Sequence, residues 1–218
     1  MTVALCEQRR RIWFQWPLLA LLISLVAIGF SVHGFAEASQ QPFDLLKFSG
    51  QPNTKVTTTG KGDKEIIELD RGGVVIQQRR TNGQIETLGI DNSGHGAVLC
   101  AQGIYVEIRS ALDICYPGKY PELRADLDRG INSINTFIAV NSLVPTSKAQ
   151  VDATMFADIA KERAVALKMT PVDLDKRCHS QEANEFIKPL LRSSKVDREK
   201  AFADLLSVPR PPVLNPCL

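Results

Sequence analysis

Residues 121–145, PELRADLDRGINSINTFIAVNSLVP, decide how the second half of this chain is read. Leu123, Leu127, Ile131, Ile134 and Ile138 recur at intervals of 4, 4, 3 and 4, which puts all five on one face of a helix. Pro121 suits a first helical turn, where its missing N–H is no loss, and Pro145 ends the pattern. Asn132, Asn135 and Asn141 sit beside the apolar stripe, solvated or edging a groove between helices.

Moving outward towards the C-terminus, start signals recur. Ser147 with Gln150 has capping-box form, Thr170-Pro171 with Asp173 marks another start, and Ser194 with Asp197 a third. Met155, Phe156, Ile159 and Leu167 supply an apolar side for the segment after Ser147, while Pro189 should kink or divide the segment around Ile187, Leu190 and Leu191. Residues 121–207 are therefore expected to form three or four packed helices. The tail Val208–Leu218 (VPRPPVLNPCL) has too many prolines for a helix and reads as an extended surface strap.

Upstream of Pro117-Gly118 the pattern changes to strand and turn. KEIIELD (64–70) and GVVIQQRR (73–80) flank a turn near Gly72, and Asn82-Gly83 suits the positive φ of a tight hairpin. Residues 53–63 read as a loop or weak edge strand. Ile104, Val106 and Ile108 alternate with Tyr105, Glu107 and Arg109, a period of two that predicts a further strand. The expected fold is α+β: an antiparallel β-meander over about residues 45–116, then the helices, in one mature domain of two subregions (39–118 and 119–218).

The N-terminus carries the three parts of a secretory signal. Arg9–Arg11 are basic, PLLALLISLVAIGF (17–30) is apolar, and Ala36-Glu37-Ala38 offers a signal peptidase its small residues. Cleavage after Ala38 is expected, with export to the periplasm or medium; the rival reading is an inner-membrane anchor at residues 13–30. Processing leaves about 180 residues, enough for a core. It also removes three arginines, two glutamates, Cys6 and both tryptophans. What remains is near neutral, so no general electrostatic attraction to nucleic acid or to an anionic membrane is expected, nor a stable membrane span.

Cys100, Cys115, Cys178 and Cys217 remain, and four cysteines in an exported chain read as two disulfides. Three connectivities are possible. The local one, Cys100–Cys115 and Cys178–Cys217, is expected because each pair falls within one structural region; it would staple the last hairpin and tie the strap to the helices. No metal-ligand spacing or cofactor motif is present.

For chemistry, Asp91-Asn92-Ser93-Gly94-His95-Gly96 is the most suggestive stretch. On an extended strand Asp91, Ser93 and His95 would point one way, and an imidazole within reach activates a serine; Glu107 is a further candidate carboxylate. Gly94 and Gly96 argue for a bent loop instead. His179 beside Cys178 reads as a surface or cap residue. The leading functional expectation is a non-enzymatic exported protein acting through protein or cell-envelope contacts in the periplasm, with another periplasmic or envelope protein as its partner. The alternatives are a secreted hydrolase using the Asp91–Gly96 loop, and an inhibitor or binding module presenting that loop.

Overall fold

The computed structural model describes residues 43–217. The expected export signal, cleavage site and alternative anchor all fall in residues 1–38, which lie outside them. Four strands, β1 (Thr54–Thr59), β2 (Ile66–Arg71), β3 (Val74–Thr81) and β4 (Gln84–Asp91), form one antiparallel sheet in chain order. Six α-helices follow among the described residues: α1 (Val98–Cys115), α2 (Pro121–Asn141), α3 (Lys148–Ala166), α4 (Pro171–Cys178), α5 (Gln181–Arg192) and α6 (Lys195–Leu205). The α+β layout, meander first and helices after, is the expected one.

The tight turns form where the glycines demanded them. Asn82 and Gly83 both take positive φ, 51° and 78°, and join β3 to β4 with Thr81 opposite Gln84. Gly72 and Gly73 do the same between β2 and β3. Leu45, Leu69, Val74 and Ile76 are buried at one end of the sheet, whereas residues 79–88 of the β3–β4 hairpin are exposed.

The helix on residues 121–141 buries the whole Leu/Ile stripe: Leu123, Leu127, Ile131, Ile134 and Ile138 are each 6 % exposed or less. Burying each such side chain contributes about 2 kcal/mol. One end of the stripe packs with Ile108, Leu112 and Ile187, the other with Val98, Val151, Phe202 and Leu205. Ser147 and Ser194 cap α3 and α6 with full capping boxes, and Thr170 caps α4. Pro189 lies inside α5; the break falls instead at His179–Ser180, before that helix starts.

Four expectations are corrected. First, residues 98–115 are a helix, not the last strands of the meander, so the sheet ends at Asp91. Val98, Ala101, Tyr105, Ile108 and Leu112, at intervals of 3, 4, 3 and 4, form the longer pattern and face the core. The alternation at Ile104–Ile108 is a short segment of it, and apolar residues sustained at helical spacing over this length favour a helix. Second, the disulfides are Cys100–Cys217 and Cys115–Cys178. Once Cys100 and Cys115 sit at opposite ends of one helix they are about 22 Å apart, and a disulfide needs Cα atoms within about 7 Å. The observed pairs have Cα separations of 5.2 and 5.3 Å.

Third, the tail is not a surface strap. Arg210 is 0 % exposed and Val213 6 %; Asn215 bridges Ile90 of β4 in parallel, and the Leu99 N–H donates to Val213 O at 3.1 Å. Sheet and helices meet through this segment. Fourth, the apolar residues of α3 divide between two faces: Met155 and Ile159 are half-buried, Phe156 and Leu167 exposed.

Glycine 130 shows how closely α2 and α6 approach. A Cβ there would overlap the Phe202 ring. Gly130→Ala is expected to lower stability by about 3 kcal/mol through overpacking, read as a lower urea midpoint. Adding Phe202→Leu should recover part of the loss; a neutral Gly130→Ala would contradict this packing.

Candidate functional site

The Asp91–Gly96 loop is built around a buried carboxylate. Asp91 ends β4, and its Oδ1 accepts from the Ser93 N–H at 2.8 Å and from Ser93 Oγ at 2.5 Å. Its Oδ2 accepts from Arg210 Nε at 2.7 Å, and both side chains are 1 % exposed or less. The Arg210 guanidinium donates further to Gly96 O (2.7 Å), Leu205 O (3.0 Å) and Val208 O (2.9 Å), and lies 5.7 Å from the centre of the Phe137 ring. An ion pair this deep survives only when its remaining polar atoms are satisfied, as here.

This geometry places the residues of the sequence-derived site. Asp91 and Ser93 come together, and Ser93 Oγ also accepts from the His95 N–H at 3.2 Å. The imidazole goes elsewhere: Nδ1 lies 3.2 Å from Asp204 Oδ1 and 3.3 Å from Ser207 Oγ. In a catalytic triad, serine and carboxylate occupy opposite ring nitrogens, so that one is activated while the other orients. Here both neighbours share Nδ1, and Ser207 Oγ donates to Asp204 O at 2.8 Å. Glu107 lies on α1, where with Ile104, Ile108 and Ile187 it lines a pocket of about 210 Å³. The Arg177–Glu162 ion pair, 2.6 Å, borders that pocket.

Sequence reasoning missed Arg210 and the larger polar cleft between α1, α2 and α3. Arg210 had one sign to give, being the only charged residue in a tail of prolines and aliphatics. The cleft, about 510 Å³, has Ile131, Met155 and Ile159 in its lining. Along one side Gln102 Nε2 donates to Asn135 Oδ1 (2.6 Å), Asn135 Nδ2 to Asp152 Oδ1 (2.8 Å) and Lys148 Nζ to Asp152 Oδ2 (2.6 Å). Asn135 is thus buried at 1 % exposure rather than solvated, and Asn132 edges the cleft.

On the other side Arg109 reaches Asp128 through Nε at 2.7 Å and brings Nη1 within 2.5 Å of Asp113 Oδ1, off hydrogen-bond alignment. Arg124 pairs with Asp113 and donates to the carbonyls of Leu112 and Tyr116 at the end of α1; Arg163 lies 3.4 Å from Asp113. Burial pushes the Asp113 carboxyl up, but the close charges of Arg109 and Arg124, with the hydrogen bond from Arg124, outweigh it and hold the group below the usual carboxylate range. Hydrogen bonds from Lys148 and Asn135 lower Asp152 likewise. Carboxylates held ionised in this way are poor general acids at neutral pH and good fixed charges.

A lowered carboxylate has a defined stability signature. The unfolded chain protonates Asp113 first, so its contribution is full above about pH 4 and declines as pH falls through the folded value. Asp113→Asn is expected to lower stability at pH 7 and to flatten the loss of stability below pH 4. Urea titrations at pH 7 and in acid check both effects; equal acid slopes in the two proteins would contradict the assignment.

No family model, curated protein or solved structure matches the chain.

Proposed function

We propose that this protein is exported, processed after Ala38 to a periplasmic or secreted domain, and acts through contacts with another envelope component rather than through turnover. The disulfide framework supports this reading: Cys100, Cys115, Cys178 and Cys217 are all paired, and both bonds close on α1. Such bonds persist in oxidising compartments and hold a small domain in one shape. Asp91, the acid of the sequence-derived loop, is committed to Arg210 and Ser93, which fits a structural loop.

Expression of the full chain in a Gram-negative host tests the export half. The periplasmic fraction should yield a protein beginning at Ser39 with no free thiol. An unprocessed cytosolic protein with reduced cysteines would defeat the proposal. For the contact half, a photo-crosslinking residue at Asn132, beside the helical cleft, should give adducts in the envelope, and one at Thr87 on the sheet should not.

A further inference from the structure

Among the described residues, the outward side of α3 carries an apolar surface that no other element covers, with Phe156 at the rim of the cleft. Ala149, Ala153, Phe156, Ala160 and Ala164 are all exposed, as is Leu167 in the cap position. At 3.6 residues per turn they share a sector about 80° wide. Phe156 is 61 % exposed and Leu167 81 %, and Val172, at the start of α4, is 63 % exposed. Helix propensity accounts for the alanines. It does not account for exposed Phe and Leu side chains on the same side, since Val151 and Ala166 already bury the opposite one.

The charges around this sector decide what suits it. Lys161 and Lys168 border one side and Arg163 the other, and Arg163's only ion pair among the described residues is the 3.4 Å one to Asp113. The acidic groups of α3 are used or turned away. Asp152 is held by Lys148 and Asn135, Glu162 by Arg177, and Asp158 lies on the far side of the helix. The result is an apolar ridge with cations at its borders and no uncommitted carboxylate. A second copy would bring more cations to the interface and nothing to neutralise them. Phe156 and Leu167 stand out as single large exposed side chains among alanines, so the ridge fits a deformable layer better than a rigid partner.

We infer that the outward side of α3 docks on an anionic lipid surface, with Phe156 and Leu167 entering the headgroup boundary and Lys161, Arg163 and Lys168 meeting lipid phosphates. The inference rests on the contact reading above and names the envelope component as lipid. None of the described helices is long and apolar enough to cross a membrane, so this is attachment along the surface.

The test uses the protein purified from the periplasm with both disulfides formed, and vesicles of phosphatidylglycerol mixed with phosphatidylcholine or of phosphatidylcholine alone. Co-sedimentation should occur with the anionic vesicles only and weaken at high salt. Phe156→Ala/Leu167→Ala and Lys161→Glu/Lys168→Glu should each reduce binding by about tenfold or more without changing the melting temperature, because all four side chains are exposed. Absence of binding to anionic vesicles, or equal binding by folded variants, overturns the inference. So does a concentration-dependent dimer, seen by sedimentation velocity, that disappears in the apolar variant: a second copy would then cover the ridge. Absence of lipid binding by the unsubstituted protein, when it is still exported and still crosslinks through Asn132, overturns the lipid assignment alone; a reduced cytosolic protein overturns the reading beneath it.

Discussion

Replacing Cys100 and Cys217 together with alanine is expected to destabilise the protein by about 4 kcal/mol, within the range for native disulfides closing long loops. The bond spans 117 residues, and on the chain-entropy model its removal frees a correspondingly large unfolded ensemble. A local effect is superimposed. The bond pins the strap where the Leu99 N–H donates to Val213 O and the Asp91 N–H to Asn215 O. Amide exchange should therefore accelerate at Leu99 and Asp91 in this variant. Cys115→Ala/Cys178→Ala, which frees α4 from α1 across 63 residues, should leave those two amides protected. Pairing itself has a direct check. Cys100→Ala/Cys115→Ala should contain two free thiols, Cys178 and Cys217; a disulfide between them would restore the local pairing and contradict the observed one.

Breaking the Asp91–Arg210 pair should be comparably severe. Arg210→Met leaves an ionised carboxylate buried without its cation, an arrangement that costs about 3–5 kcal/mol. For a domain of this size that is a fall in melting temperature of roughly 10 °C. Two further variants separate the pair from the packing around it. Asp91→Leu/Arg210→Met removes both charges together and should lose much less than Arg210→Met alone, giving a large coupling energy in the double-mutant cycle. Ser93→Ala removes one donor to a carboxylate that keeps others and should lose only about 1 kcal/mol. If Arg210→Met were as stable as the parent, the strap would not be anchored as described. The same series bears on the hydrolase alternative, because Ser93→Ala leaves the fold standing for any activity assay.

These effects converge on the residues that local reading handled least well. The α2 stripe, the three caps and the Asn82-Gly83 turn were legible because each depends on interactions within a few residues: a periodicity, a side chain reaching a nearby N–H, a required positive φ. The α1 segment was ambiguous for a local reason too. Ile104–Ile108 satisfies period two, while Val98–Leu112 satisfies the helical period over a longer span, and packing against α2 favours the second. Of the candidate site residues, Asp91 and Ser93 are neighbours as the loop implied, but the His95 ring follows Asp204 and Ser207, more than a hundred residues away.

By itself, then, the sequence determined the α+β order, the start of most helices, the hairpin turn and the two-disulfide composition. Each is a property of neighbouring residues or of counting. Only the tertiary structure decided which cysteines bond, where Arg210 finds its carboxylate, how Asn135 joins three helices, and which side of α3 is left uncovered by the other described residues. Those are meetings between segments far apart in the chain. Several pairings satisfy the same local chemistry, and packing selects one by bringing particular atoms within bonding distance.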